Sequence, residues 1–394
     1  MSFPEPDVLN SLVSRVFRIE DVTLGDSQKG WIARYRGLLL NDDSAAAYDL
    51  LADSVRAYGL TPLFRKEGDK HVIFLAPSMP EAKQRPPTTN IILFLLTVIS
   101  VMLAGATPQG PLPSDVGGQI LALLKALPSG WPFAVSLLGI LLAHEFGHYL
   151  MSRHHKTAAT LPFFIPLPLS ILGTMGAFIQ MQAVPKNKRI LFDIGVAGPL
   201  AGIVVAIPVL FLGLTLSKLG PILPDPNGFI EGNSLLYLLS KYIVFGQLLP
   251  APAGISGLPL LQYWIQYFFT GYPVPIGGMD VFIHPVAFAG WAGLLVTALN
   301  LIPVGTLDGG HVTYALFGEK VRKAYPFILA ILAVLGLVWT TWWFWGVLLL
   351  WLGRVHAEPL DQITELDPRR RAIGWLAILL FILVFSPVPM VLLG

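Results

Sequence analysis

The sequence predicts an α-helical polytopic membrane protein of about six to eight transmembrane segments, with a re-entrant β-like loop and a small N-terminal α+β soluble domain. Three observations predict it. The 394-residue chain is 54% hydrophobic and only 13% charged, where soluble domains run near ~25% charged. Its apolar residues gather into segments that approach the ~20 residues a spanning helix needs. Its basic residues collect on one set of the intervening loops. The net charge of +2 is too small to argue for nucleic acid as a partner. Cysteine is absent, which excludes disulfides and thiolate ligands, so any metal must be held by His, Asp or Glu. The first 30 residues carry Glu5, Asp7, Glu20 and Asp21 and no apolar core. No cleavable signal or transit peptide is therefore expected, and the mature chain is read as starting near Met1.

Residues 1–85 hold 11 of the 26 Lys and Arg residues and read as the soluble domain; residues 86–394 form the membrane domain. Within the first, 31–39 reads as a strand. Residues 43–58 read as an amphipathic helix with Asp42 or Asp43 as its N-cap. Residues 60–66 and 71–76 alternate around Gly68-Asp69, as in a hairpin. Pro86-Pro87 closes the domain. Spans are then expected at 89–106, 132–152, 194–216, 285–302 and 372–393. Residues 161–184 are apolar but broken by Pro162, Pro166, Pro168, Gly173 and Gly176, which predicts extended or re-entrant backbone. The Pro- and Gly-rich stretch 219–280 has short apolar pieces near 235–248 and 260–270, expected to lie at the interface. Basic clusters occur in the N-terminal domain and at 153–156, 186–189, 320–323 and 369–371. They predict that these parts face the cytoplasm, most simply of a bacterial membrane. Segment 326–353 has basic clusters on both sides, which requires two passes. A short helical hairpin turning near Thr340 is the preferred reading; one tilted span, with the C-terminus inside, is the alternative.

The chemistry is concentrated in His144-Glu145-Phe146-Gly147-His148, at the end of a segment whose residues 126–143 contain no Asp, Glu, Lys or Arg. HExxH on a helix puts two imidazoles four residues apart, on one face, where both reach one metal ion. The Glu between them can serve as a base towards a metal-bound water. Ionisable groups at membrane depth are costly, so their presence points to function. A catalytic zinc usually has three protein ligands and one open position. The best third candidate is Asp308, just past the span at 285–302; its alternative role is a turn-forming Asp-Gly. Depth agrees, since both spans run inward and bring the two sets to the cytoplasmic side. Asn300 is either an oxyanion donor or a helix-packing amide. His154 and His155 read as a solvated basic face, His284 and His311 as packing groups, and Asp193 as a charge favoured by the helix dipole. Gly198-Pro199 and Gly202 read as sites of close packing or a kink. The stretch 171–182 is either an edge for a substrate strand or a structural loop.

HEFGH in a membrane span followed by NLIPVGTLDGG resembles the site-2 protease family of intramembrane zinc metalloproteases. The family pattern is HExxH plus Asn-x-x-Pro-x-x-x-x-Asp-Gly, and every fixed position is kept here. Leu161–Pro166, Gly173–Phe178, Leu191–Gly202 and His284–Trp291 are similar to the cyanobacterial and plastid branch of the gravitropism-deficient, yellow-green type. The resemblance implies a core over about 132–312 and zinc (Zn2+) on His144, His148 and Asp308. It implies Glu145 as general base, and transmembrane protein substrates met within the lipid. A divalent-metal transporter and a catalytically silent scaffold are the competing readings. Neither a second HExxH nor a second Gly-Thr-x-Gly segment is present to suggest a transporter's repeated halves.

Overall fold

In a computed structural model, residues 4–25, 30–78, 86–108, 110, 113–225, 228–353 and 358–393 are described. The expected start near Met1 and the end of the N-terminal domain at residue 85 lie outside them. The chain opens with helix α1 (Pro6–Ser14) and strands β1 (Phe17–Leu24) and β2 (Ala33–Leu39). Helix α2 (Ser44–Arg56) and strands β3 (Leu60–Glu67) and β4 (Lys70–Pro77) follow. The strands form one antiparallel sheet in the order β1-β2-β4-β3. Asp43 caps α2 by accepting from the Ala46 amide, which fixes one of the two N-caps the sequence allows. Leu9, Val13, Phe17, Tyr35, Leu51, Phe64 and Ile73 fill this core, and Leu360 and Ile363 pack against it from far along the chain.

The rest is mainly helical: α3 (Thr88–Ala104), α4 (Val116–Ala126), α5 (Trp131–His154) and α6 (Lys188–Thr215), then α7 (Leu235–Phe245), α8 (Leu258–Thr270), α9 (Pro285–Asn300) and α10 (Asp308–Phe317). Helices α11 (Tyr325–Leu335), α12 (Thr341–Leu352) and α13 (Pro368–Val384) complete it. Among the described residues, two continuous helical stretches, Val116–His154 and Lys188–Thr215, are long and apolar enough to cross a membrane. Helices α5, α6 and α9 pack on one another around Leu137, Leu141, Ile203, Leu210 and Leu294. Many large apolar side chains elsewhere face outward, among them Ile91, Leu95 and Ile99 on α3, Phe344 and Val347 on α12, and Leu379 and Ile382 on α13.

The broken stretch after α5 is a hairpin of β5 (Phe163–Pro166) and β6 (Thr174–Phe178), irregular between Phe164 and Pro166. Its turn is fastened to α3. Gly173 sits at φ +71°, and a Cβ there would lie 2.6 Å from the Ser100 carbonyl oxygen. Ser100 Oγ donates to the Gly173 carbonyl at 2.5 Å. Only glycine combines that backbone with that approach. Strands β7 (Lys218–Pro221) and β9 (Met279–Phe282) pair, as do β8 (Phe229–Glu231) and β10 (Met390–Leu392).

The structure corrects the last expected span. Residues 372–393 are not one helix: α13 ends at Val384 and β10 follows. Pro387 and Pro389 have no amide hydrogen to continue the helix. Segment 326–353 is a hairpin of two helices. The Tyr325 hydroxyl at the start of α11 donates to the Leu349 carbonyl near the end of α12 at 3.1 Å, and Arg322 pairs with Glu358 beyond. The basic clusters share one face. Lys186 bonds Asp49 of the N-terminal sheet unit at 2.9 Å, Arg189 donates to the Glu365 carbonyl, and Arg370 grips Asp193 at 2.8 and 2.6 Å.

Candidate metal centre

Helix geometry accounts for the first two groups. His144 and His148 lie one turn apart on α5, and their Nε2 atoms are 3.2 Å apart. The third group comes from α10. Its first residue, Asp308, places Oδ2 3.2 Å from both Nε2 atoms. His144 and His148 are 3% and 6% exposed. These three are the cluster of metal-binding side chains found among the described residues. The donors fit zinc. Tetrahedral ligation at 2.0–2.1 Å separates ligand atoms by roughly 3.3 Å, and the triangle here has sides of 3.2 Å.

The surroundings orient these groups. The His148 Nδ1–H donates to the Ile194 carbonyl of α6 at 2.7 Å, which leaves Nε2 as the acceptor, the atom able to take a metal. Glu145 is 5% exposed, and the Ile179 amide just beyond β6 hydrogen-bonds its carboxylate. The Asn300 amide donates towards His144 Nε2 at 3.2 Å, so the end of α9 also reaches the centre. All five residues singled out in the sequence, His144, Glu145, His148, Asn300 and Asp308, are thus together.

Three things were not legible. Gly198 and Gly202 do more than allow two helices to approach. A Cβ at Gly198 would sit 2.1 Å from His148 Nε2, and one at Gly202 3.2 Å from His144 Nδ1. They leave the volume the imidazoles occupy. His155 is not simply a solvated basic residue: its Nε2 is 2.8 Å from Asp193 Oδ2. Asp193 in turn holds Arg370 of α13, a partner 177 residues away, so its role is an ion pair rather than a dipole charge. His154 is exposed, His284 caps α9 through the Val286 amide, and His311 is buried with its Cβ against Gly195.

Residues 132–340, more than half of the chain, match Peptidase family M50. The chain belongs to that family. In the site-2 protease sense it is the family the motifs resemble, and the plant relatives fall in the expected branch. It is 30% identical over 332 residues to the probable zinc metalloprotease EGY1, chloroplastic, of Oryza sativa subsp. japonica, covering 78% of this chain and 52% of that protein. The Arabidopsis thaliana EGY1 is 30% identical over 334 residues, covering 78% and 55%. The probable zinc metalloprotease EGY2, chloroplastic, of Oryza sativa subsp. indica is 30% identical over 339 residues, covering 84% and 56%. The chain spans about half the length of these relatives.

Proposed function

We propose that this M50 chain is an intramembrane zinc metalloprotease that hydrolyses peptide bonds within or near transmembrane segments of membrane-protein substrates. The observation that carries this reading is the 3.2 Å triangle of two imidazoles and one carboxylate beside Glu145. Zinc held by His144, His148 and Asp308 would lower the pKa of a bound water towards ~7 and polarise the scissile carbonyl. Glu145 takes a proton at its carboxylate and returns it to the leaving amine. The Asn300 amide, already aimed at the centre, donates to the developing oxyanion. A substrate helix must unwind before its carbonyl is open to attack, and unwound backbone in lipid needs new partners. Among the described residues β6 pairs with a strand on one side only, which leaves its other edge for such a strand. Fixed at one end by Ser100 and reaching Glu145 at the other, it is suited to lay the scissile bond over the metal.

In this reading α3, α5, α6, α9, the two helices of the α11–α12 hairpin and α13 lie in the membrane, giving seven segments, within the six to eight expected. The outward-facing apolar side chains support it, since so large an apolar surface suits lipid better than water. The N-terminal unit and the basic clusters lie on the cytoplasmic side of a bacterial membrane, an orientation supported by the shared basic face. Residues 1–85 and 86–394 act as separate domains, joined by the contacts of Leu360 and Ile363. Family membership disfavours the transporter and scaffold readings. The test is Glu145→Gln. It is expected to retain zinc and to lose about 10²- to 10⁴-fold in cleavage of a model transmembrane substrate. Unchanged cleavage would refute the assignment.

A further inference from the structure

The face of α5 that carries the two imidazoles continues past them. His155, at the end of the helix, comes seven residues after His148. That spacing is two turns, short by only about 20°, so His155 faces α6 as His148 does. The two rings bond neighbouring residues of α6. His148 Nδ1–H donates to the Ile194 carbonyl at 2.7 Å, and His155 Nε2–H donates to Asp193 Oδ2 at 2.8 Å.

Between those contacts the helices meet through glycines. A Cβ at Gly147 would lie 2.5 Å from the Ala197 carbonyl oxygen, and one at Gly198 2.1 Å from His148 Nε2. Such a seam is close but smooth: no side chain interlocks to set its register. The His148 ring nevertheless fits only where Gly198 leaves room, so little sliding or rotation is tolerated. One hydrogen bond would leave a pivot; two, at separate points along α5, fix the helix. The second is held firmly. Arg370 of α13 grips Asp193 with both arms of its fork, Nε to Oδ1 at 2.8 Å and Nη2 to Oδ2 at 2.6 Å, the strong bidentate form of an ion pair. Asp367, the N-cap of α13, pairs with Arg370 in turn. Both oxygens of Asp193 are thus engaged, and its side chain is only 13% exposed, so the carboxylate is kept towards His155.

We propose that Asp193 is a positioning residue for the metal centre. Held by Arg370, it locks His155 and with it the register of α5 on α6. That register keeps His148 Nδ1 on the Ile194 carbonyl and Nε2 turned to His144 and Asp308. An outer hydrogen bond of this kind sets the orientation of a ligating imidazole; here the carboxylate acts one step further out, on the helix that supplies the acceptor. The inference rests on the metal reading of the centre and not on the nature of the substrate.

Two measurements on the full chain in detergent test it: zinc affinity by chelator competition, and the visible spectrum of the chain loaded with cobalt(II) in place of zinc, which reports ligand geometry. Asp193→Ala and His155→Ala are each expected to weaken zinc about tenfold and to shift the cobalt band. His155→Gln keeps an N–H donor at similar reach and is expected to restore the parental affinity and band. Lys186→Ala breaks the bond to Asp49 on the same basic face and is expected to change neither. A merely structural role for Asp193 would lower the melting midpoint and leave the cobalt band in place. Parental affinity and an unmoved band in Asp193→Ala overturn the proposal, as does a His155→Gln no better than His155→Ala. If Asp193→Ala does not fold, the two His155 variants decide. A parent chain that binds no zinc overturns the metal reading and this inference together, whereas a parent that binds zinc beside indifferent variants overturns this inference alone.

Discussion

The two ends of α5 are built on opposite plans. At one end, His144 and His148 come from a single helical turn and meet one carboxylate, and the donors face each other at 3.2 Å. At the other, Glu231, Tyr237, Lys241 and Asp280 come from two strands and a further helix, and their hydrogen bonding is left incomplete. The first end is geometrically finished and wants one small ion of fixed coordination. The second is a buried polar cluster set beside a broad apolar cavity. Local spacing specifies two corners of the first; folding alone brings in the third and assembles the second.

The comparison can be broken most sharply at Asp308. Asp308→Ala removes one corner of the triangle, and zinc per chain, measured by atomic emission on purified protein, is expected to fall by more than tenfold. Zinc retained at the parental level would mean that the two halves do not share an ion. Gly198→Ala comes next. Its Cβ would fall 2.1 Å from His148 Nε2, so either the ring or α6 must move. Zinc affinity is expected to drop about 10- to 100-fold, the range for disturbed support of a ligand. Gly202→Ala, where the clash is only 3.2 Å, should cost clearly less. Equal losses would show that the glycines serve packing in general and not the imidazoles.

The other end is sharpened by pH. Burial, then the negative charge of Asp280, push the Glu231 carboxyl above the ordinary carboxylate range, against the opposing pull of Lys241; Tyr237 hydrogen-bonds it. The Glu231 carboxyl is thus expected to take up its proton at a higher pH than an ordinary carboxylate, a rise that Asp280→Asn should reduce; a carboxyl infrared band that titrates in the ordinary range would contradict it. The smallest expected effect is at Ser100. Ser100→Ala loses one hydrogen bond to the Gly173 carbonyl, worth about 1 kcal/mol. Faster amide exchange confined to residues 171–182 would verify that this bond fixes the hairpin, whereas unchanged exchange would show that Gly173 packing alone suffices.

Legibility followed the same division. The strand at 33–39, the helix at 44–56 and the hairpin at 60–77 were readable because a capping Asp, a Gly-Asp turn and alternating burial are local. Strand β1 was not, since apart from Phe17 it is largely solvent-facing and has no period-2 pattern to read. The corrected end of α13 lay at two prolines inside an otherwise apolar run, whose hydropathy outweighed them in the reading. His155 and Asp193 were misread because Arg370, which completes their ion-pair cluster, arrives from another helix.

By itself the sequence determined that two imidazoles share one helix face with a carboxylate next to them in the chain, because the 3.6-residue period leaves no freedom once the helix forms. It also determined that an Asp-Gly step would follow an uncharged helix. Tertiary structure alone decided that Asp308 closes the triangle, that Gly198 makes room for His148, and that Glu231 and Asp280 border one cavity. Those facts depend on helices and strands meeting across tens to hundreds of residues, and packing distances of that kind are not written in any local spacing.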